Sequence, residues 1–296
     1  MSNTCTPLPA DLSDGIRLSQ EVGRAYGEEL MGEYCFAEPF PHIVIDNFLP
    51  EAFAEKLLAH FPTSKTEDEK TYEKGYGGMH KRQISPYACD EYMREAFAFF
   101  NSAPMLQFLE GITTIPGLLP DPYFAGGGLH ETMPGGLLGI HADFRVNESL
   151  QLLRRVNMLI YLNKDWQDSY GGHLELWDRQ MKQKVKSVAP VFNRCVIFNT
   201  DSDSFHGHPD PLTAPSGVSR KSIALYYYTA QPIANDSGES RHTLYVARPN
   251  DTPQNIADAK KLERKRVKRA KKMFKKRDTS NGLLARLKQQ LLKLFG

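Results

Sequence analysis

Gly139-Ile140-His141-Ala142-Asp143-Phe144 decides the fold when it is read with Asp203-Ser204-Phe205-His206-Gly207-His208-Pro209 and Arg220-Lys221-Ser222. Gly135-Gly136-Leu137-Leu138 leads into the first stretch, and small residues there let a strand bend and leave room for a ligand. Side chains two apart leave one face of a strand, so His141 and Asp143 project together. A second imidazole from a distant strand would complete three ligands on one side of a metal, with the other side open. That donor set suits non-haem Fe(II) chemistry, which needs vacant positions for substrate, cosubstrate and O₂. Spacing alone leaves the second imidazole ambiguous, because His206 and His208 share a strand face. Arg220 and Ser222 also share a face, and a guanidinium beside a hydroxyl is a good receptor for a carboxylate. The strand they open, Ser222-Ile223-Ala224-Leu225-Tyr226-Tyr227-Tyr228, must bury one face. An inward arginine there calls for an anion.

The order of the segments is more specific than the His-x-Asp triplet. His141-Ala142-Asp143 is followed by Asn157-Met158-Leu159-Ile160-Tyr161-Leu162-Asn163 and Gly171-Gly172-His173-Leu174-Glu175-Leu176, then His206-Gly207-His208-Pro209 and Arg220-Lys221-Ser222. In this order they resemble the iron- and 2-oxoglutarate-dependent dioxygenases, in particular the prolyl-hydroxylase-like branch, over about residues 40–229. The resemblance implies Fe(II), 2-oxoglutarate as cosubstrate and O₂, with ascorbate as reductant. It maps the metal ligands onto His141, Asp143 and the His before Gly, His206, with His208 left as a pocket group. It maps the distal carboxylate of 2-oxoglutarate onto Arg220, assisted by Ser222. A carboxylate at Asp143 argues for hydroxylation over halogenation, since related halogenases leave that position to Gly or Ala. The implied reaction hydroxylates an unactivated C–H, on a prolyl residue of a protein or peptide or on a free amino acid. A cupin-like metalloenzyme without 2-oxoglutarate and an inactive jelly-roll binding module are the rival readings.

Alternation divides the strand around Tyr161. Met158, Ile160 and Leu162 are uniformly apolar and should meet packed helices, whereas Asn157, Leu159 and Tyr161 make the pocket wall, with Asn157 and Tyr161 as cosubstrate contacts. His130 is a further pocket candidate; Trp166 and Trp177 read as packing residues, and Gly171-Gly172 as a tight turn. Strand-like runs at 123–132, 137–144, 156–162, 173–177, 185–188, 194–198 and 221–229 predict a double-stranded β-helix, a jelly-roll or cupin-like core in an α+β fold. Upstream, Pro41–Asp46 reads as a strand. A helix should open at Leu49-Pro50 with Phe53, Leu57, Leu58 and Phe61 as its stripe. Two more helices, Asp90–Phe100 and Ser102–Gly111, should pack on one sheet through Met93, Phe97, Phe100, Leu106 and Leu109. Lys65–Arg82 is charged and Gly-rich and reads as a mobile loop.

At 296 residues, 41% hydrophobic, the chain can bury one sizeable core. The expected domains are an N-terminal arm at 1–39, a dioxygenase domain at 40–250 with its core at about 122–230, and a tail at 251–296. No apolar run approaches the roughly 18 residues of a membrane span, and the first residues lack the pattern of a signal peptide. Cys5, Cys35, Cys89 and Cys195 have no paired spacing and read as reduced thiols of a cytoplasmic protein. The net charge of +2 conceals an acidic body and a basic tail, residues 251–296 carrying 15 Lys and Arg against 4 Asp and Glu. Twelve of the 18 residues Lys260–Arg277 are basic, and Leu284, Leu287, Leu291 and Phe295 form an apolar stripe beyond them. Such a helical tail suits an anionic membrane surface, where it would hold the protein peripherally, or RNA or an acidic protein.

Overall fold

The computed structural model describes residues 6–230 and 242–271. In chain order the elements are α1 (Gln20–Cys35), β1 (His42–Ile45), α2 (Glu51–Ala59), β2 (Glu69–Tyr72), β3 (Met79–Ile84), α3 (Glu91–Phe100), α4 (Ala103–Thr113) and β4 (Leu118–Pro120), then β5 (Gly128–Ala142), β6 (Val146–Asn147), β7 (Leu152–Tyr161), β8 (Leu174–Trp177), β9 (Lys184–Val188), β10 (Cys195–Asn199), β11 (His206–His208), β12 (Arg220–Thr229) and β13 (Leu244–Tyr245). A helix at 253–271, here α5, ends the described chain. The basic residues beyond 271 and the Leu284–Phe295 stripe lie outside the described residues.

All pairings are antiparallel, and they form two layers that share one strand. The first half of β5 pairs with β12 and β3, in a sheet that continues through β7 and β10 to β1. Its second half pairs with β11 and β13, and β8 and β9 follow β11. The two predicted strands around Gly135 are therefore one strand with a kink. Gly135 takes a φ of 76°, a left-handed value that glycine adopts without steric cost. Leu212 pins the kink, accepting from Gly135 N–H and donating to Gly136 O. This is the predicted jelly roll.

Helices α1–α4 cover the outer face of the larger sheet. Met158, Ile160 and Leu162 are buried against them with Phe53, Phe97, Phe100, Phe108 and Leu109, as alternation requires. Between the layers, Tyr161, Val196 and Phe198 meet Leu174, Leu176 and Val188. Weak periodicity before residue 31 hid how tightly α1 packs. A Cβ at Gly27 would lie 2.2 Å from Phe108 O, and one at Gly23 2.6 Å from Pro104 O, so bare backbone lets α1 and α4 touch. Three described cysteines are free thiols. No helix among the described residues is long and apolar enough to cross a membrane.

The Lys65–Arg82 stretch departs from the expectation of a mobile loop. It holds the hairpin β2–β3, which adds two strands beside β5. Its charges are used in pairing: Arg82 lies 2.5 Å from Glu131 and 3.1 Å from Glu69, and its Nη2 donates to Pro62 O. Composition alone could not reveal this, because the partner carboxylate comes from β5. Lys221, on the same face as Glu131, donates to Ser219 Oγ and lies 3.4 Å from Glu131, so it is paired and not simply solvated.

Candidate active site

His141 and His206 occupy paired positions on β5 and β11, and Asp143 follows one residue after β5 ends. His141 Nε2 lies 3.6 Å from Asp143 Oδ1, and His206 Nε2 lies 3.5 Å from Asp143 Oδ2. One ligand atom from each of the three falls within 4.8 Å of the others. Each Nδ1 is 2.9 Å from a carbonyl, Gly139 O for His141 and Ser204 O for His206. A carbonyl only accepts, so Nδ1 carries the proton and Nε2 turns a lone pair toward the common centre. Burial, then the neighbouring His141, takes His206 down to about 4, and burial also lowers His141. Burial alone would raise Asp143, but Arg154, the two imidazoles and Asn157 together hold it well below the usual carboxylate range. Two neutral imidazoles and a carboxylate are the protonation states that ligate a divalent metal, so the residues fit Fe(II).

Asp143 is fixed by groups that sequence reasoning missed in part. Asn157 donates from Nδ2 to Asp143 Oδ2 at 2.8 Å, and Arg154 lies 2.9 Å from the same oxygen while donating to Asn157 Oδ1. Asn157 therefore orients the Asp143 carboxylate, and it also lines the pocket. Arg154 is 1% exposed, its guanidinium 3.4 Å from the Tyr226 ring centroid and 4.9 Å from that of Phe144. Strict alternation would turn Arg154 away from Asn157. The pairing of β12 with β7 slips at this point, Tyr227 opposite Val156 and Tyr228 opposite Arg154, and the extra residue Arg155 reverses the face.

The Arg220 side of the pocket lies on the larger sheet. Arg220 Nε donates to Gly172 O at 2.7 Å and Nη2 to Tyr161 Oη at 3.1 Å, with the guanidinium over the Tyr161 ring. Ser222 sits opposite Tyr161 in the register of β12 and β7. The structure brings His141, Asp143, His206, Asn157, Arg220 and Ser222 around one pocket, lined as well by His130, His208, Leu159, Tyr226 and Lys81. His130 is within 2.9 Å of Gly126 O. His208 is buried, and neither of its ring nitrogens has a hydrogen-bond partner. Lys81 and Tyr245 had no sequence signal: one sits in the hairpin read as a loop, and the other arrives on β13, its ring 5.3 Å from that of His141. Trp166 and Trp177 hydrogen-bond nearby groups, Gly171 O and Glu175, and do not line the pocket.

Residues 127–228 match the 2OG-Fe(II) oxygenase superfamily. Over 79 residues the chain is 37% identical to prolyl 3-hydroxylase OGFOD1 of Mus musculus. That match takes in 25% of this chain and spans only 14% of the relative's length. Among solved structures, the chain is similar to a prolyl 4-hydroxylase of Phytophthora capsici, with 21% identity, 88% and 79% of the two chains covered, and a TM-score of 0.49. It is also similar to a prolyl hydroxylase of Trichoplax adhaerens in complex with a peptide fragment of the hypoxia inducible factor oxygen degradation domain. There the identity is 18%, the coverage 70% and 91%, and the TM-score 0.48.

Proposed function

We propose, from the match of residues 127–228 to the 2OG-Fe(II) oxygenase superfamily, that the chain hydroxylates an unactivated C–H of its substrate at the expense of 2-oxoglutarate and O₂. The substrate is a prolyl residue in a protein or peptide, or a free amino acid. One observation carries the reading: three donors in metal-binding protonation states on one side of a point, with Arg220, held by the Tyr161 hydroxyl behind it, in the same pocket.

In this mechanism His141, Asp143 and His206 would hold Fe(II), which supplies the activation of O₂ when bound. Asp143 keeps its charge because Arg154 and Asn157 brace it, so the metal displaces no proton from it near neutral pH. Arg220 receives the distal carboxylate of 2-oxoglutarate while Gly172 O and the Tyr161 hydroxyl hold the guanidinium plane in place. Leu159, Leu174 and Tyr226 line the pocket with apolar surface that excludes water around the reacting atoms.

The test is succinate formation from 2-oxoglutarate by the Fe(II)-loaded protein, followed by a search of peptides and amino acids for a mass gain of one oxygen. Succinate without added substrate, and a product one oxygen heavier, are expected. Iron binding with no consumption of 2-oxoglutarate would favour a cupin-like enzyme, and failure to bind iron a binding module.

A further inference from the structure

Lys81 is 8% exposed and lines the pocket, yet its ammonium makes no hydrogen bond or ion pair with any described residue. Its one recorded partner is an aromatic face, with Nζ 4.9 Å from the Tyr72 ring centroid. A largely buried lysine whose ammonium opens into a pocket is well placed to take up an anion there, and burial with Arg220 nearby lowers this one to about 7. Asp143 is the pocket's carboxylate, and Arg154 already holds it. No other carboxylate among the described residues lines the pocket, so the pocket's own occupant can supply the partner.

Arg220, Thr132 and Lys81 stand in one row across β12, β5 and β3. Arg220 and Lys81 are thus two strand spacings apart, roughly 10 Å at the backbone. Arg220 is tied at one edge by Gly172 and Tyr161. Lys81 leans the other way, on Tyr72, which also lines a cleft of about 350 Å³ with Phe144, Tyr245, Lys74 and Arg266. The Tyr245 ring lies 5.3 Å from that of His141, so this cleft borders the proposed metal site. The unpaired nitrogens of His208 lie in the pocket that Lys81 lines and can share an incoming acceptor.

We propose that Lys81 receives a carboxylate of the prime substrate, so that the molecule hydroxylated carries a negative charge close to the reacting C–H. This rests on the dioxygenase reading and narrows it, favouring a free amino acid or another carboxylate-bearing molecule over a neutral stretch within a peptide. The cosubstrate's distal carboxylate stays with Arg220.

The full-length Fe(II)-loaded protein is assayed for succinate above the substrate-free rate, with free L-amino acids, their carboxamides and a blocked neutral proline peptide. The best acid is expected to stimulate about tenfold or more above its amide, the scale of a charge-assisted pair, and Lys81→Met to abolish that preference. With Mn(II) in place of iron, calorimetry should give Lys81→Met an affinity for 2-oxoglutarate within about twofold of wild type. Its melting temperature should be no lower than wild type, since the ammonium holds nothing together within the fold. Equal stimulation by acid and amide, stimulation by no acid, or a marked drop in melting temperature overturns the proposal. So does a large loss of 2-oxoglutarate affinity, which would move Lys81 to the cosubstrate. Absence of substrate-free succinate production in the wild type is a separate failure, of the oxygenase reading itself, and removes the proposal with it.

Discussion

Replacing Arg154 by Met tests what keeps the metal-binding carboxylate charged. In the wild type Asp143 Oδ2 has Arg154 Nη2 at 2.9 Å and accepts from the Asn157 amide at 2.8 Å, in a site open to little solvent. Its folded pKa is depressed, so Asp143 contributes stability that is present above about pH 4, the unfolded value, and is lost as the pH falls through the lower folded value. Without Arg154 the effect of burial is opposed only by the imidazoles and Asn157, so the carboxyl rises and much of the contribution is lost. Asn157 Oδ1 also loses both of its donors. Removing one partner of a buried pair costs about 3–5 kcal/mol. At roughly 2–4 °C per kcal/mol for domains of this order, the melting temperature should fall on the order of 10 °C. The assay is urea and thermal unfolding of metal-free protein held in chelator at pH 7. Arg154→Lys, which keeps the charge but loses the planar fork and its stacking on Tyr226 and Phe144, should fall between. An Arg154→Met protein within about 1 kcal/mol of wild type, with an unchanged acid limb of stability, would refute the reasoning.

Other outcomes follow from the same geometry. His206→Ala should abolish tight Mn(II) or Co(II) binding while His208→Ala leaves it within a few fold, because the Nδ1–H of His206 is held by Ser204 O and His208 lacks such a partner; spectroscopic metal titration decides. Arg220→Ala should raise the 2-oxoglutarate requirement about tenfold or more, as expected for the roughly 1.5–3 kcal/mol of a charge-assisted pair. Gly27→Leu should destabilise the fold by about 2 kcal/mol or more, read by urea unfolding, since its side chain would enter Phe108 O on α4. Truncation before residue 253 should loosen the Gly75–Gly77 turn, where Leu262 meets Gly77 and Asp258 meets Gly75, and raise amide exchange there.

Much of the site was legible because its chemistry is written in short local patterns on strands of known period. His141 and Asp143 could be read from residue type and spacing, His206 over His208 only through the family resemblance, and Met158, Ile160 and Leu162 from alternation alone. What escaped depends on irregularity or distance. Arg154 faces inward because of one inserted residue, which no alternation rule registers. Lys81 looked like loop charge because the hairpin β2–β3 that carries it is polar and joins a sheet only by pairing with β5, some fifty residues later. Gly23 and Gly27 gave no apolar stripe, since contact made through backbone leaves no hydrophobic signal. Tyr245 reaches His141 from a segment beyond the last long strand.

The fifteen residues of β5 carry His130 at one end and His141 at the other, on opposite sides of the Gly135 bend. Arg220 on β12, the proposed anchor for the keto acid, pairs opposite Thr132 in the first half of β5, so it and the proposed grip on the metal are held by one continuous strand. Breathing of the sandwich can change the angle at that hinge, but it cannot separate the two halves without severing ladder pairings on both sides. Misalignment of the reactants is then tied to wholesale melting, and a nick in the backbone at the bend would be the gentlest way to uncouple them.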